Sequence, residues 1–117
     1  MTQRIMIAGL GLIGASLAIC IKKEHPESYL MGWDHCPSTN EIARQTNLVA
    51  EVPVSFDEGA IQADIILLAL PVEITKSYLA RLGQLPLKPN VLVTDTGSTK
   101  SEISQFAQQF SFDFIGG

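Results

Sequence analysis

The sequence is poor in the basic residues that a nucleic-acid surface requires. Its 8 Lys and Arg residues are outnumbered by 12 Asp and Glu residues, which gives a formal net charge of −4 and a pI of about 5.0. Affinity for a phosphate backbone depends on clustered positive charge, and Lys22-Lys23 is the one adjacent basic pair in the chain. We therefore expect no nucleic-acid partner.

Cysteine is equally scarce. Cys20 and Cys36 belong to no Cys-x-x-Cys pair and to no Cys/His cluster with metal-ligand spacing. We predict two unpaired thiols in a reducing compartment and no metal. A chain of 117 residues that is 46% hydrophobic is long enough to bury a core without a disulfide or a metal.

Long apolar runs are also missing. No run reaches the roughly 18 to 20 residues of a membrane span. The first four residues lead directly into a candidate strand without a signal-peptide pattern. We expect no membrane partner and a cytoplasmic location.

What the sequence does contain is an alternation of strand and helix patterns. Apolar runs with strand character occupy residues 4–8, 29–34, 50–54, 65–70, 91–95 and 112–115. Helical patterns separate most of them; Ser55-x-x-Glu58 and Thr99-x-x-Glu102 have the form of capping boxes, and Asn47 of a left-handed cap. This alternation predicts an α/β fold of the Rossmann type, a doubly wound, mainly parallel sheet with helices on both faces.

Three glycines interrupt the first strand-to-helix transition. In Gly9-x-Gly11-x-x-Gly14, the first glycine permits a tight turn, the second lets a pyrophosphate approach the backbone, and the third allows close helix packing. The helix N-terminus then offers free N–H groups to the anion. A glycine-rich turn without a ligand is the alternative. We predict a dinucleotide cofactor bound by Gly9, Leu10, Gly11, Leu12, Ile13 and Gly14.

Asp34 is the last residue of the second predicted strand, 20 residues after Gly14. A carboxylate at this place accepts hydrogen bonds from the adenosine ribose and repels the 2′-phosphate of NADP. NAD is therefore the predicted cofactor, although His35 or Arg44 could still receive a phosphate. A surface aspartate at the end of a strand is the alternative.

Five segments in this order, GLGLIGASLA, GWD, ADIILLALPV, TDTGSTK and FIGG, give the chain a family resemblance. It resembles the N-terminal, NAD-binding domain of the prephenate and arogenate dehydrogenases. The resemblance implies oxidative decarboxylation of prephenate to 4-hydroxyphenylpyruvate in tyrosine biosynthesis, with this chain as the cofactor-binding part.

The resemblance also implies site residues. Leu70, Pro71 and Val72 would border the nicotinamide, in the loop after the fourth predicted strand. Ser98, after the fifth, would hydrogen-bond the substrate and orient a histidine that follows FIGG in the family. Capping of the last helix is the alternative for Ser98.

The sequence lacks that histidine and the family's helical second domain, which completes the substrate site and forms the homodimer. We expect residues 1–117 to be a C-terminally truncated dinucleotide-binding domain of a two-domain enzyme, inactive alone. The choice between prephenate and arogenate stays open. The rival functions are another nicotinamide-dependent dehydrogenase, of the β-hydroxyacid type, and a non-enzymatic NAD-sensing module.

Overall fold

The strands form one parallel sheet, and helices connect most of them along the chain. The computed structural model describes residues 2–95 and 113–115. The elements are β1 (Arg4–Ala8), α1 (Leu12–Glu24), β2 (Tyr29–Trp33), α2 (Pro37–Gln45), α3 (Phe56–Gln62), β3 (Ile65–Leu68), α4 (Val72–Leu82), β4 (Leu92–Asp95) and β5 (Asp113–Ile115). The strands pair in parallel in the order β2-β1-β3-β4-β5. The predicted fold class is confirmed.

Two apolar cores cover the two faces of the sheet. Successive β1 side chains point to opposite faces, so Ile5 and Ile7 join one core while Met6 and Ala8 join the other. The first core includes residues of α1 and α2, and the second includes residues of α3 and α4. Helices therefore lie on both faces, as right-handed parallel crossovers require.

The prediction of a strand at residues 50–54 was wrong. A single parallel bridge joins Glu51 to Met31, and no ladder extends beyond it. Pro53 has no N–H group to donate to a ladder, which fits the early end of this segment. The other predicted strands are present with ends shifted by up to two residues.

Helix α1 packs on the sheet through two small buried residues and two larger, partly buried ones. Gly14 and Ala18 are buried, Leu17 and Ile21 pack against the core, and Ile13 and Cys20 are exposed. Small side chains let the helix axis approach the sheet, and the larger residues beside them then extend past the contact. The apolar residues that recur at helical spacing and predict this helix are Ile13, Leu17, Cys20 and Ile21. Two of these four contact the core.

Two predicted local signals are confirmed. Asn47 has a φ of 54° after α2, in the left-handed region. The backbone N–H of Glu58 donates to Ser55 Oγ at 3.2 Å and caps α3. The second capping box, Thr99-x-x-Glu102, lies outside the described residues.

Asp64 connects three segments at the N-terminal edge of the sheet. The Arg4 backbone N–H donates to Asp64 Oδ2 at 2.8 Å, and Lys88 Nζ donates to Oδ1 at 3.2 Å. The hydrogen bond from Arg4 is the largest cause that lowers the pKa of Asp64, and Lys88 adds to it against an opposing effect of burial.

This depressed pKa predicts acid-sensitive stability. Because the folded-state pKa lies below the unfolded value of about 3.9, the stabilisation is full above that pH and is lost as the pH falls through the folded pKa. With a side chain 36% exposed, Asp64→Asn should lower the free energy of unfolding at pH 7 by at most about 1 kcal/mol. Urea titrations at several pH values should show this difference shrinking below about pH 4. Exposed Glu24→Gln is the control, and an Asp64→Asn effect that grew on acidification would contradict the assignment.

Candidate functional site

The glycine turn lies where the strand order of the sheet reverses. Strand β1 has β2 on one side and β3 on the other, and residues 9–11 connect β1 to α1. In open parallel sheets, ligands bind in the crevice at such a switch point, outside the carboxyl ends of the strands. The predicted dinucleotide site therefore lies at the position where parallel sheets of this kind bind ligands.

Gly9 and Gly14 are required by the fold itself. Gly9 has a φ of 96°, and a Cβ there would overlap the carbonyl oxygen of Ala69. A Cβ at Gly14 would overlap the carbonyl oxygen of Gly9, which brings α1 and the turn into direct contact. These two glycines behave as the motif predicts for the tight turn and the close packing.

Gly11 is different, because nothing in the part of the chain that the structure describes requires it to be glycine. Its φ of −72° suits any residue, and a Cβ there would have no heavy atom within 4 Å. Gly11 is the N-cap of α1, and no side chain caps this helix. The N–H groups of its first turn, including those of Leu12 and Ile13, have no partner further back in the helix. A cofactor pyrophosphate fits this open, N–H-lined approach.

The Asp34 carboxylate lies against the glycine turn. Oδ2 accepts the backbone N–H of Leu10 at 2.8 Å, and Oδ1 accepts that of Cys36 at 2.9 Å. The side chain is 11% exposed, and His35 Nδ1 lies 3.3 Å from Oδ1. Two ionised oxygens offer about four acceptor positions. The carboxylate can therefore accept ribose hydroxyls while it holds the turn, which fits the predicted NAD.

Leu10 takes part in this site through its backbone. Its side chain is buried, and its N–H is donated to Asp34. The neighbouring side chains of Leu12 and Ile13 are exposed beside the turn. Leu10 thus fixes the shape of the turn, whereas the side chains of Leu12 and Ile13 are exposed to solvent.

The two residues that could receive a 2′-phosphate are His35 and Arg44, and the arginine does not contact Asp34. Arg44 lies in the last turn of α2, roughly 10 Å along the helix from Pro37. Its Nη1 is 3.4 Å from Glu41 Oε2. His35 is exposed and next to the carboxylate. The geometry favours a 2′-hydroxyl over a 2′-phosphate at this position.

Sequence reasoning missed Asn40. This residue of α2 is buried, and its amide makes two hydrogen bonds with the backbone of Asp34. The contact spans six residues between a strand end and a helix, and an asparagine in a short amphipathic helix gives no pattern that would indicate it.

An aromatic groove of about 680 Å³ opens beside the end of β2. Its walls include Trp33, Phe56 and Tyr78, with ring centroids 4.6 to 6.3 Å apart. Burial raises the pKa of Tyr78. Arg81 at the rim pairs with Asp57 of α3. Trp33 is the only tryptophan of the chain, so its fluorescence reports on this edge of the site.

The thiol of Cys36 lies among hydrogen-bonding groups at the start of α2. Its Sγ lies 3.1 Å from Ser38 Oγ. Hydrogen bonding by Ser38, followed by Thr39, lowers the pKa of Cys36 to about 7. At neutral pH much of this thiol is thiolate, the form that reacts with alkylating reagents. Both cysteines are unpaired, as predicted.

The loop after β3 carries the residues predicted to border the nicotinamide. Leu70 is half-buried next to Gly9, and exposed Pro71 is the N-cap of α4. Buried Thr75 fixes the loop, since its Oγ1 donates to the carbonyls of Leu70 and Pro71 at 3.1 and 3.0 Å. Val72 begins α4. The predicted catalytic Ser98 lies outside the described residues.

Other kinds of site receive no support from the part of the chain that the structure describes. Residues 2–95 and 113–115 contain no group of three or more His, Cys, Asp or Glu side chains that could hold a metal ion. None of the helices within these ranges combines the length and the hydrophobicity needed to cross a bilayer.

Comparison with known protein families decides the relationship. Residues 17–117 match the family model described as "Prephenate dehydrogenase, nucleotide-binding domain". The chain belongs to this family. The matched range begins inside α1, after the glycine turn. The glycine turn itself therefore lies outside the matched range.

Two curated relatives extend over nearly the whole chain. The prephenate dehydrogenase of Lactococcus lactis subsp. cremoris is 42% identical over 98% of this chain and 33% of its own length. That of Bacillus subtilis is 35% identical over 100% of this chain and 32% of its own length. The chain thus spans about a third of the relatives that it matches.

A solved structure shares the fold. Prephenate dehydrogenase of Aquifex aeolicus, in complex with hydroxyphenyl propionate and NAD+, superposes with a TM-score of 0.81 at 22% identity. The superposition covers 99% of this chain and 41% of the Aquifex chain. At this identity the likeness establishes the Rossmann-type architecture.

Proposed function

We propose that this domain binds NAD at the glycine turn. The observation that carries the proposal is the juxtaposition of an open helix N-terminus at Gly11 with the carboxylate of Asp34, which contacts the same turn through Leu10. One feature fits a pyrophosphate and the other a ribose with a free 2′-hydroxyl. NAD bound in the Aquifex relative supports the same cofactor.

Each part of the site would then have a distinct task. The N–H groups of Leu12 and Ile13 would bind the pyrophosphate, and Asp34 would bind the adenosine ribose. The loop of Leu70, Pro71 and Val72, held by Thr75, would border the nicotinamide. When bound, NAD supplies a hydride acceptor.

We further propose the reaction of the complete enzyme. It transfers a hydride from prephenate to NAD and releases CO2 to form 4-hydroxyphenylpyruvate. Arogenate is the alternative substrate, and the same reaction would leave its amino-acid side chain unchanged. The names of the Lactococcus and Bacillus relatives and the substrate-like ligand in the Aquifex structure support this reaction. Residues 1–117 would serve as the dinucleotide-binding domain, with a second, helical domain that completes the substrate site and forms a homodimer in the cytoplasm.

Turnover by the polypeptide encoded by the complete gene tests this function. With NAD, we expect NADH formation from prephenate or arogenate, and far slower formation by the 117-residue chain, which lacks the family's histidine. Loss of a positioned acid–base group costs about 10² to 10⁴ in rate. NAD binding without turnover of either substrate would favour the NAD-sensing module. Turnover of a β-hydroxyacid instead would favour the rival dehydrogenase.

Ser98 is proposed as a catalytic residue that hydrogen-bonds the substrate. Thr99 and Glu102 have the spacing of a complete capping box, so the hydroxyl of Ser98 is available for chemistry. Ser98→Ala in the complete enzyme should lower turnover about tenfold, equivalent to ~1.4 kcal/mol. NAD affinity and melting temperature should stay nearly unchanged. A destabilised but fully active variant would identify Ser98 as a helix cap instead.

A further inference from the structure

Asn40 makes an unusually complete contact with the end of β2. Its Oδ1 accepts the backbone N–H of Asp34 at 2.9 Å, and its Nδ2 donates to the carbonyl oxygen of Asp34 at 2.7 Å. One side-chain amide therefore pairs with both polar backbone groups of the residue that carries the acidic side chain. Both residues are 9% exposed, so water competes little for these bonds.

The contact continues from Asp34 into the glycine turn and into α2. The same aspartate accepts the N–H of Leu10 through Oδ2 and the N–H of Cys36, the N-cap of α2, through Oδ1. Asn40 fixes the backbone and the two N–H groups fix the carboxylate. The backbone and side-chain freedom of Asp34 is thus removed before any ligand arrives.

We propose that Asn40 is a positioning residue that holds the Asp34 carboxylate in the orientation that binds the adenosine ribose of NAD. The proposal rests on the proposed function. Asn40 acts through Asp34, because its amide is already paired with the Asp34 backbone. Its contribution is preorganisation, since an Asp34 backbone free to move would shift the carboxylate and add an ordering cost to each binding event.

Asparagine is the side chain that this geometry requires. The amide presents one acceptor and one donor side by side, matching an N–H and a C=O of a single residue. Asn40→Asp keeps the volume and the acceptor but places an oxygen against the Asp34 carbonyl. Asn40→Leu keeps much of the volume and removes both hydrogen bonds.

Calorimetric titration of the 117-residue chain with NAD, NADP and ADP-ribose tests the proposal. We expect Asn40→Leu and Asn40→Asp to weaken NAD and ADP-ribose by about tenfold, and to reduce the preference for NAD over NADP. Nicotinamide mononucleotide, which lacks the adenosine half, should bind as it does to the unmodified chain. The control is Gln45→Ala, at an exposed position in the last turn of the same helix.

A double-mutant cycle separates positioning from a general loss of stability. In an Asp34→Ser background, Asn40→Leu should produce no further loss of NAD affinity, because its effect passes through the Asp34 carboxylate. An equal loss in both backgrounds, or unchanged NAD affinity in folded Asn40→Leu, would overturn the proposal. If Asn40→Leu does not fold, the same cycle with Asn40→Asp decides. Absence of NAD binding by the unmodified chain would instead refute the proposed function.

Discussion

Gly14→Ala should destabilise the domain severely. The added methyl group would overlap the carbonyl oxygen of Gly9, a backbone atom that cannot move without displacing the turn and the end of β1. Alanine would raise helix propensity by about 1 kcal/mol. Overpacking of this kind costs about 3 kcal/mol and exceeds that gain. We expect a clear fall in the urea midpoint and a melting temperature lower by about 10 °C.

Circular dichroism and Trp33 fluorescence provide two probes of the same transition. Gly11→Ala is the matched control, since its added methyl group meets no heavy atom within 4 Å. The control should change the free energy of unfolding by less than about 1 kcal/mol, because a poorer N-cap and a stiffer unfolded chain act in opposite directions. A Gly14→Ala protein as stable as the unmodified chain would show that α1 lies further from the turn than described.

Gly11→Ala should lose cofactor affinity while it keeps its fold. Among the described residues, no heavy atom would lie within 4 Å of a Cβ at Gly11, so we attribute glycine at this position to the proposed ligand. A methyl group there would hold a pyrophosphate away from the N–H groups of Leu12 and Ile13. Charge-assisted hydrogen bonds contribute about 1.5 to 3 kcal/mol each, so loss of one weakens binding by tenfold or more.

NAD titrations of Gly11→Ala and of the unmodified chain measure this directly. The melting curve of the same preparation shows that the variant is folded. Leu12→Ala, which removes an exposed side chain and keeps the backbone N–H, is the control and should bind NAD within a few-fold of the unmodified chain. Unchanged NAD affinity in Gly11→Ala would contradict binding of the pyrophosphate at this turn.

Local patterns predicted those parts of the fold that local chemistry determines. The buried run before Gly9, the cap at Ser55 and the left-handed Asn47 each rest on a few neighbouring residues. The segment around Glu51 was predicted as a strand because its apolar pattern resembles one. Whether such a segment forms a ladder depends on its partner and on Pro53.

In the candidate site too, some features were predicted from local patterns and others depend on packing. The spacing of Gly9, Gly11 and Gly14 predicted the turn, but it could not distinguish the two glycines that the fold needs from the one that it leaves open. The place of Asp34 near the turn was predicted from its distance of 20 residues after Gly14. Its bond to Leu10 and its pairing with Asn40 depend on how β2, the turn and α2 pack, which no short sequence pattern records.

Calorimetric titration of the unmodified 117-residue chain with NAD and with NADP tests the central claim most directly. The site offers an open helix N-terminus and a preorganised carboxylate, with no arginine beside Asp34. We expect NAD to bind at least about tenfold more tightly than NADP, equivalent to ~1.4 kcal/mol. Equal binding of the two cofactors, or tighter binding of NADP, would contradict the role assigned to Asp34.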